Sequence, residues 1–99
     1  MPVTTNIGLP DLTQDDVQRL AEECEGEVVR FIYSMIPEKS IAELVVSCTL
    51  DLDEILTMDL EIDISQKYST GHSLDEVIEQ AADHAHDWLE KRLLEMKRR

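Results

Sequence analysis

The chain has 99 residues and a net charge of −13, enough sequence for one domain that buries about 65% of its unfolded surface without metal or disulfide staples. Residues 1–90 hold 21 acids against four bases. That balance repels a phosphate backbone and argues against nucleic-acid binding by the body of the chain, because such affinity comes largely from Lys and Arg displacing counterions; a basic protein partner suits the sign better.

Residues 1–10 (MPVTTNIGLP) read as an N-terminal arm in which Val3–Ile7 can supply a short strand. Residues 11–99 are expected to form the single domain. A helix starts at Thr13, whose hydroxyl suits an N-cap, with Asp15 and Asp16 at the positive end of the helix dipole. Val17, Leu20, Ala21, Cys24, Val28, Ile32 and Met35 then recur at steps of three and four, one apolar stripe. Gly26 interrupts that helix at a cost of about 1 kcal/mol relative to alanine, and is expected to kink it or to admit a close neighbour. Beyond Val28, the residues Val29, Phe31, Tyr33 and Ile36 widen the stripe until the helix is apolar on most sides. Such an end wants more than one neighbour. Pro37 stops it.

Ile41–Leu52 alternates as a strand, with Leu44, Val46, Cys48, Leu50 and Leu52 on one side. The pair Asp53-Glu54 turns the chain without the Asn-Gly or Asp-Gly of a tight primed turn, so the register is open by a residue or two. The return strand, Thr57–Ser65 (TMDLEIDIS), puts Met58, Leu60, Ile62 and Ile64 on a dry face and Thr57, Asp59, Glu61 and Asp63 on a wet one. After a polar loop (QKYSTGH), Ser73 and Glu76 form the capping box of a last helix. Its predicted buried face is Leu74, Val77, Ile78, Ala81, Ala85, Trp88, Leu89 and Met96, with Ala82 and Leu93 on the margin. The order helix, strand, strand, helix predicts an α+β two-layer sandwich of two helices on a short antiparallel sheet. A bare hairpin would leave both borders open, so either the arm or a second chain must complete it.

Few residues suggest chemistry. Cys24 and Cys48 fall on apolar faces and read as reduced, buried thiols of a cytosolic protein. In Asp83-His84-Ala85-His86-Asp87 the two histidines point about 200° apart on a helix and cannot share an ion. His84 with Asp87, or His86 with Glu90, offers two ligands where zinc needs three or four. Asp59, Glu61 and Asp63 have no apolar setting to separate their pKa values, as acid–base catalysis requires. Gly8, Gly26 and Gly71 build no phosphate loop. The expectation is no enzyme, no cofactor and no metal. No stretch reaches the ~20 apolar residues of a membrane helix, which predicts a soluble, cytoplasmic protein.

The first helix ending in Met35-Ile36-Pro37-Glu38, the alternating Leu44–Leu52 and Thr57–Ile64, and the capped last helix resemble the small dimerisation subunit of the KEOPS complex over about residues 11–96. The pattern is closer still to an archaeal family of formerly unknown function, often encoded near prefoldin beta. That family looks like a paralogue of the dimerisation subunit and the counterpart of the eukaryotic Gon-seven subunit. The resemblance implies a non-catalytic subunit of the complex that makes threonylcarbamoyl-adenosine in tRNA. It would pair with the dimerisation subunit, or with itself in isolation, and make no direct contact with nucleic acid. Interface candidates are Val28, Phe31, Ile32, Tyr33 and Ile36 on the first helix, and Ile78, Ala81, Ala85, Trp88 and Leu89 on the last. The alternative is a KH-like or chaperone-associated helper; a KH domain needs a G-x-x-G loop to clamp the nucleic-acid backbone, and this sequence lacks one.

Overall fold

Strand β1 (Val3–Ile7), helix α1 (Gln14–Met35), strands β2 (Ile41–Leu52) and β3 (Leu56–Gln66) and helix α2 (Leu74–Lys97) follow one another along the chain. They are drawn from a computed structural model that describes residues 3–7, 12–53, 56–71 and 73–97. The flanks of the arm, Glu54 of the predicted turn with Ile55, His72 at the end of the polar loop, and Arg98 and Arg99 lie outside those residues.

Each helix begins where its cap dictates. The Asp16 amide donates to Thr13 Oγ1 and the Thr13 amide donates to Asp16 Oδ2, both at 3.1 Å. Two amides without helical partners are thereby satisfied reciprocally. At the start of α2 the Glu76 amide reaches Ser73 Oγ at 3.4 Å. α1 then runs from Gln14 to Met35 through Gly26, where a Cβ would meet only Arg30 Nη1, at 3.7 Å. The close approach expected as one outcome at Gly26 is therefore corrected: among the described residues no neighbour needs the missing side chain. Past Pro37, a single turn at Glu38–Ser40 leads into β2. Its Ser40 is buried, with the hydroxyl donating to the Pro37 carbonyl at 2.7 Å.

The sheet is antiparallel in the order β1-β3-β2. Cys48 stands opposite Leu60, Leu50 opposite Met58 and Val46 opposite Ile62, so the dry faces of both long strands coincide. β1 covers the other border of β3, Val3 opposite Leu60 and Ile7 opposite Leu56. The hairpin's two open borders are thus reduced to one. The predicted arm is partly a strand of the sheet.

Both helices cover the dry face, α1 over β2 and α2 toward β1 and β3. Val17, Leu20, Cys24, Val28 and Ile32 of α1 share one core with Met58, Leu60 and Ile62 of β3 and with Val77, Ala81, Ala85 and Leu89 of α2. Burying each large aliphatic side chain here contributes roughly 1.5–3 kcal/mol. α2 is turned slightly from the predicted phase. Ala82 and Leu93, placed on the margin, are buried, whereas Trp88 and Ile78 are only partly buried against the core. Ala81, Ala82 and Ala85 lack bulk, which lets α2 lie close to its neighbours and pushes the large indole out to the rim.

Candidate functional site

Six of the ten interface candidates lie inside one copy of the chain. Val28, Ile32, Ile36, Ala81, Ala85 and Leu89 are all core residues at 1% exposure or less. As partner-facing residues they are corrected: the stripe that looked surplus in sequence is consumed by the sheet and by the opposite helix. Phe31, Ile78 and Trp88 are half-buried at the margin of the core, and Tyr33 is 40% exposed. Of the ten candidates, Phe31, Tyr33, Ile78 and Trp88 keep side-chain surface outside the core.

One border of the sheet, the outer edge of β2, is left open. Among the described residues no strand pairs with it, and it runs for 12 residues from Ile41 to Leu52. The Cys48 amide points outward and donates to Glu25 Oε1 on α1 at 3.0 Å. By the two-residue period of a strand, the amides of Val46 and Leu50 point outward as well. Beside this border lies a shallow cleft of about 310 Å³, walled by Val17, Gln18 and Ala21 of α1 and by Cys48, Thr49 and Leu50 of β2. Sequence reasoning missed Glu25. Its partner is 23 residues away, and a single acid flanking an apolar stripe carries no signal of what it will meet.

The sheet face opposite the helices is the acidic one. Register places Asp59 opposite Thr49, Glu61 opposite Ser47 and Asp63 opposite Val45. No carboxylate of β3 directly faces another across the strands, which avoids the like-charge pairs that weaken a sheet. Val45 is 50% exposed on this face. Asp59 has interaction partners of its own, so the three acids do not form an equivalent set.

Where α1 meets α2, charged side chains bridge the helices. His84 Nε2 lies 2.9 Å from Glu27 Oε1, and its ring stacks on Phe31 with centroids 4.6 Å apart. Glu27 also accepts from Arg30 at 2.7 Å. The Arg30 bond first, and then the His84 bond, hold its carboxyl below the usual glutamate range. Arg92 donates to Glu23 across the helices at 3.1 Å and to Glu95 at 3.3 Å. Arg92 thereby joins the two helices. Arg30, Arg92, Glu23, Gly26 and the half-buried Trp88 line an open groove of about 500 Å³. Its arginines are already paired with carboxylates, which leaves little net attraction for an anion.

His84 and His86 turn to different partners. His86 pairs with Glu90 at 2.7 Å, while His84 turns to Glu27 and not to Asp87. Among the described residues no three His, Cys, Asp or Glu side chains converge to hold an ion. Cys24 and Cys48 are free, buried and adjacent, sharing a hydrogen bond. That bond, burial, and the Glu25 and Asp59 carboxylates push the Cys48 thiol well above its ordinary value. The same bond draws Cys24 down, while its burial and the Glu25 and Glu27 carboxylates oppose it. No helix of the described residues is long and apolar enough to cross a membrane.

Fold and surfaces together define a small, one-sided α+β domain with a long open sheet border and an acidic outer face. The family described as "protein of unknown function (DUF3194)" matches residues 9–92, and the chain belongs to that family. It is similar to the uncharacterised protein PF0383 of Pyrococcus furiosus, with 24% identity over 90 residues, covering 91% of this chain and 81% of that protein. The uncharacterised protein TK0644 of Thermococcus kodakarensis is 22% identical over 91 residues, covering 92% and 84%. A crystal structure from Thermococcus onnurineus NA1 superposes with a TM-score of 0.75 at 18% identity, covering 97% of this chain and 93% of that one. The solution structure of the hypothetical protein mth677 from Methanothermobacter thermautotrophicus gives 0.72 at 18%, covering 88% and 94%. These likenesses establish the fold as one shared with archaeal proteins.

Proposed function

We propose that this chain is a non-catalytic subunit of a protein complex and that it docks a different chain along β2. The observation that carries the reading is the outer border of β2, unpaired among the described residues over 12 residues. An exposed border of that length is a template for another strand, and natural proteins commonly cover or blunt it. The shallow cleft beside it gives an incoming segment apolar wall to bury. The net charge of −13 favours a basic protein over nucleic acid.

Within that class, we propose the dimerisation subunit of a KEOPS-type complex as the partner, with tRNA threonylcarbamoylation as the process served and the cytoplasm as the place. Support comes from the resemblance in the order of helices and strands. Self-pairing is the competing arrangement. No catalytic role is assigned to any residue.

Light scattering on the purified chain, alone and mixed with the dimerisation subunit of the same organism, tests the proposal. The expected result is a one-to-one complex whose formation protects the outward β2 amides from hydrogen exchange. A mixture that elutes as two separate species overturns the KEOPS assignment. Failure of the chain to retain any protein from its native extract overturns the subunit reading as well.

A further inference from the structure

We propose that Glu25 is the gate of the β2 border: it bars a second copy of this chain and selects a strand of another protein that carries Lys or Arg. The inference rests on the β2-docking reading above and adds the residue that decides who docks. Glu25 reaches from α1 to the middle of β2 and accepts the Cys48 amide at 3.0 Å. Any chain that continues the sheet on this side must take that amide for its own carbonyl. Glu25 is then displaced, half-buried, beside a cleft whose one charged wall residue is Asp15. A carboxylate stripped of its donor in a sheltered place is costly unless a cation replaces the lost hydrogen bond.

The chain's own β2 cannot provide that cation. Its sequence, IAELVVSCTLDL, contains Glu43 and Asp51 and no basic residue. Two copies pairing through β2 would displace two Glu25 carboxylates and add four strand acids to the same seam. A foreign strand with Lys or Arg opposite the Glu25 position answers the carboxylate and gains the remaining outward amides of Val46 and Leu50. Glu25 therefore works against like and for unlike, a separation of partners by repulsion as much as by attraction.

The test compares the wild-type chain with Glu25→Ala, Glu25→Gln and, as a control for charge alone, Glu22→Ala, each first checked for folding by circular dichroism. Light scattering over a concentration series reads self-association, and amide exchange at Val46 and Leu50 reads whether β2 is the seam. Wild type and Glu22→Ala are expected to stay monomeric. Glu25→Ala is expected to self-associate at least about tenfold more tightly, because each of the two copies is spared the loss of a charge-assisted hydrogen bond, with both amides gaining protection. Glu25→Gln, which keeps an uncharged acceptor, is expected to fall between, and it carries the test if the alanine variant is poorly folded. A short synthetic peptide alternating valine with lysine should bind wild type about tenfold better than its valine–glutamate counterpart, a preference that shrinks in Glu25→Ala. Equal self-association of Glu22→Ala and Glu25→Ala, unprotected Val46 and Leu50 amides, or indifference to peptide charge each overturns the gate. Self-association through β2 in Glu25→Ala, together with wild type failing to bind the dimerisation subunit, would instead retain the gate and remove the proposed complex.

Discussion

Gly26 and Glu27 are neighbours in sequence with opposite consequences. At Gly26 the backbone is helical and a Cβ would meet only the mobile end of Arg30, at 3.7 Å. Glycine therefore costs helix stability there without serving any contact. Gly26→Ala is expected to raise stability by up to about 1 kcal/mol, read as a higher urea midpoint at an unchanged slope. A destabilised alanine variant would mean that the groove beside Trp88 needs the space. Glu27 instead links Arg30 to His84 and so ties α1 to α2. Its carboxyl is depressed in the fold, Arg30 being the larger cause. A depressed carboxyl contributes stability above the ordinary glutamate pKa of about 4.3 and loses it as pH falls through the folded value. Glu27→Gln is accordingly expected to cost roughly 1 kcal/mol at neutral pH. The gap from wild type should close in acid when urea midpoints are measured across the pH range. A gap that is constant down to the lowest pH would mean the residue acts by shape alone.

Elements were more legible in the sequence than their surroundings. Thr13 with Asp16, and Ser73 with Glu76, mark helix starts through contacts three residues apart, and both appear in the fold. Thr13→Ala should therefore remove one half of a reciprocal cap and lower stability by about 1 kcal/mol, visible as a lower thermal midpoint and as exchange of the most protected β3 amides faster by roughly fivefold. Alternation likewise gave both long strands, because one dry face and one wet face admit only one phase. What local pattern could not give is anything that depends on distant registry. The placement of Ser47 and Thr49 opposite β3 acids, the Glu25 contact with Cys48, and the rim position of Trp88 all arise only when elements meet. Val28, Ile32 and Leu89 show the converse error. Their apolar abundance looked like an unfilled interface, but three strands and two helices together consume it.

At the scale of the whole molecule, the strands divide the surface into an apolar side closed by helices and an acidic side left to solvent. Glu61 and Asp63 are exposed on that open face, and no part of the core depends on them. They can therefore be changed without rebuilding the fold, since exposed substitutions of this kind usually move stability by no more than about 0.5 kcal/mol. Their effect should be felt before contact. Charges on an open face steer encounter over about a Debye length, some 8 Å at physiological salt, and are screened at higher ionic strength. The double variant Glu61→Gln with Asp63→Asn is expected to slow association with a basic partner several-fold at low salt and to match wild type at about 1 M salt, where the Debye length is roughly 3 Å. Dissociation should stay the same in both, because the partner leaves from the β2 border and not from this face. Stopped-flow mixing at two salt concentrations separates the rates. If dissociation accelerates instead, the acidic face itself touches the partner, and the docking surface must extend from the border of β2 across the sheet.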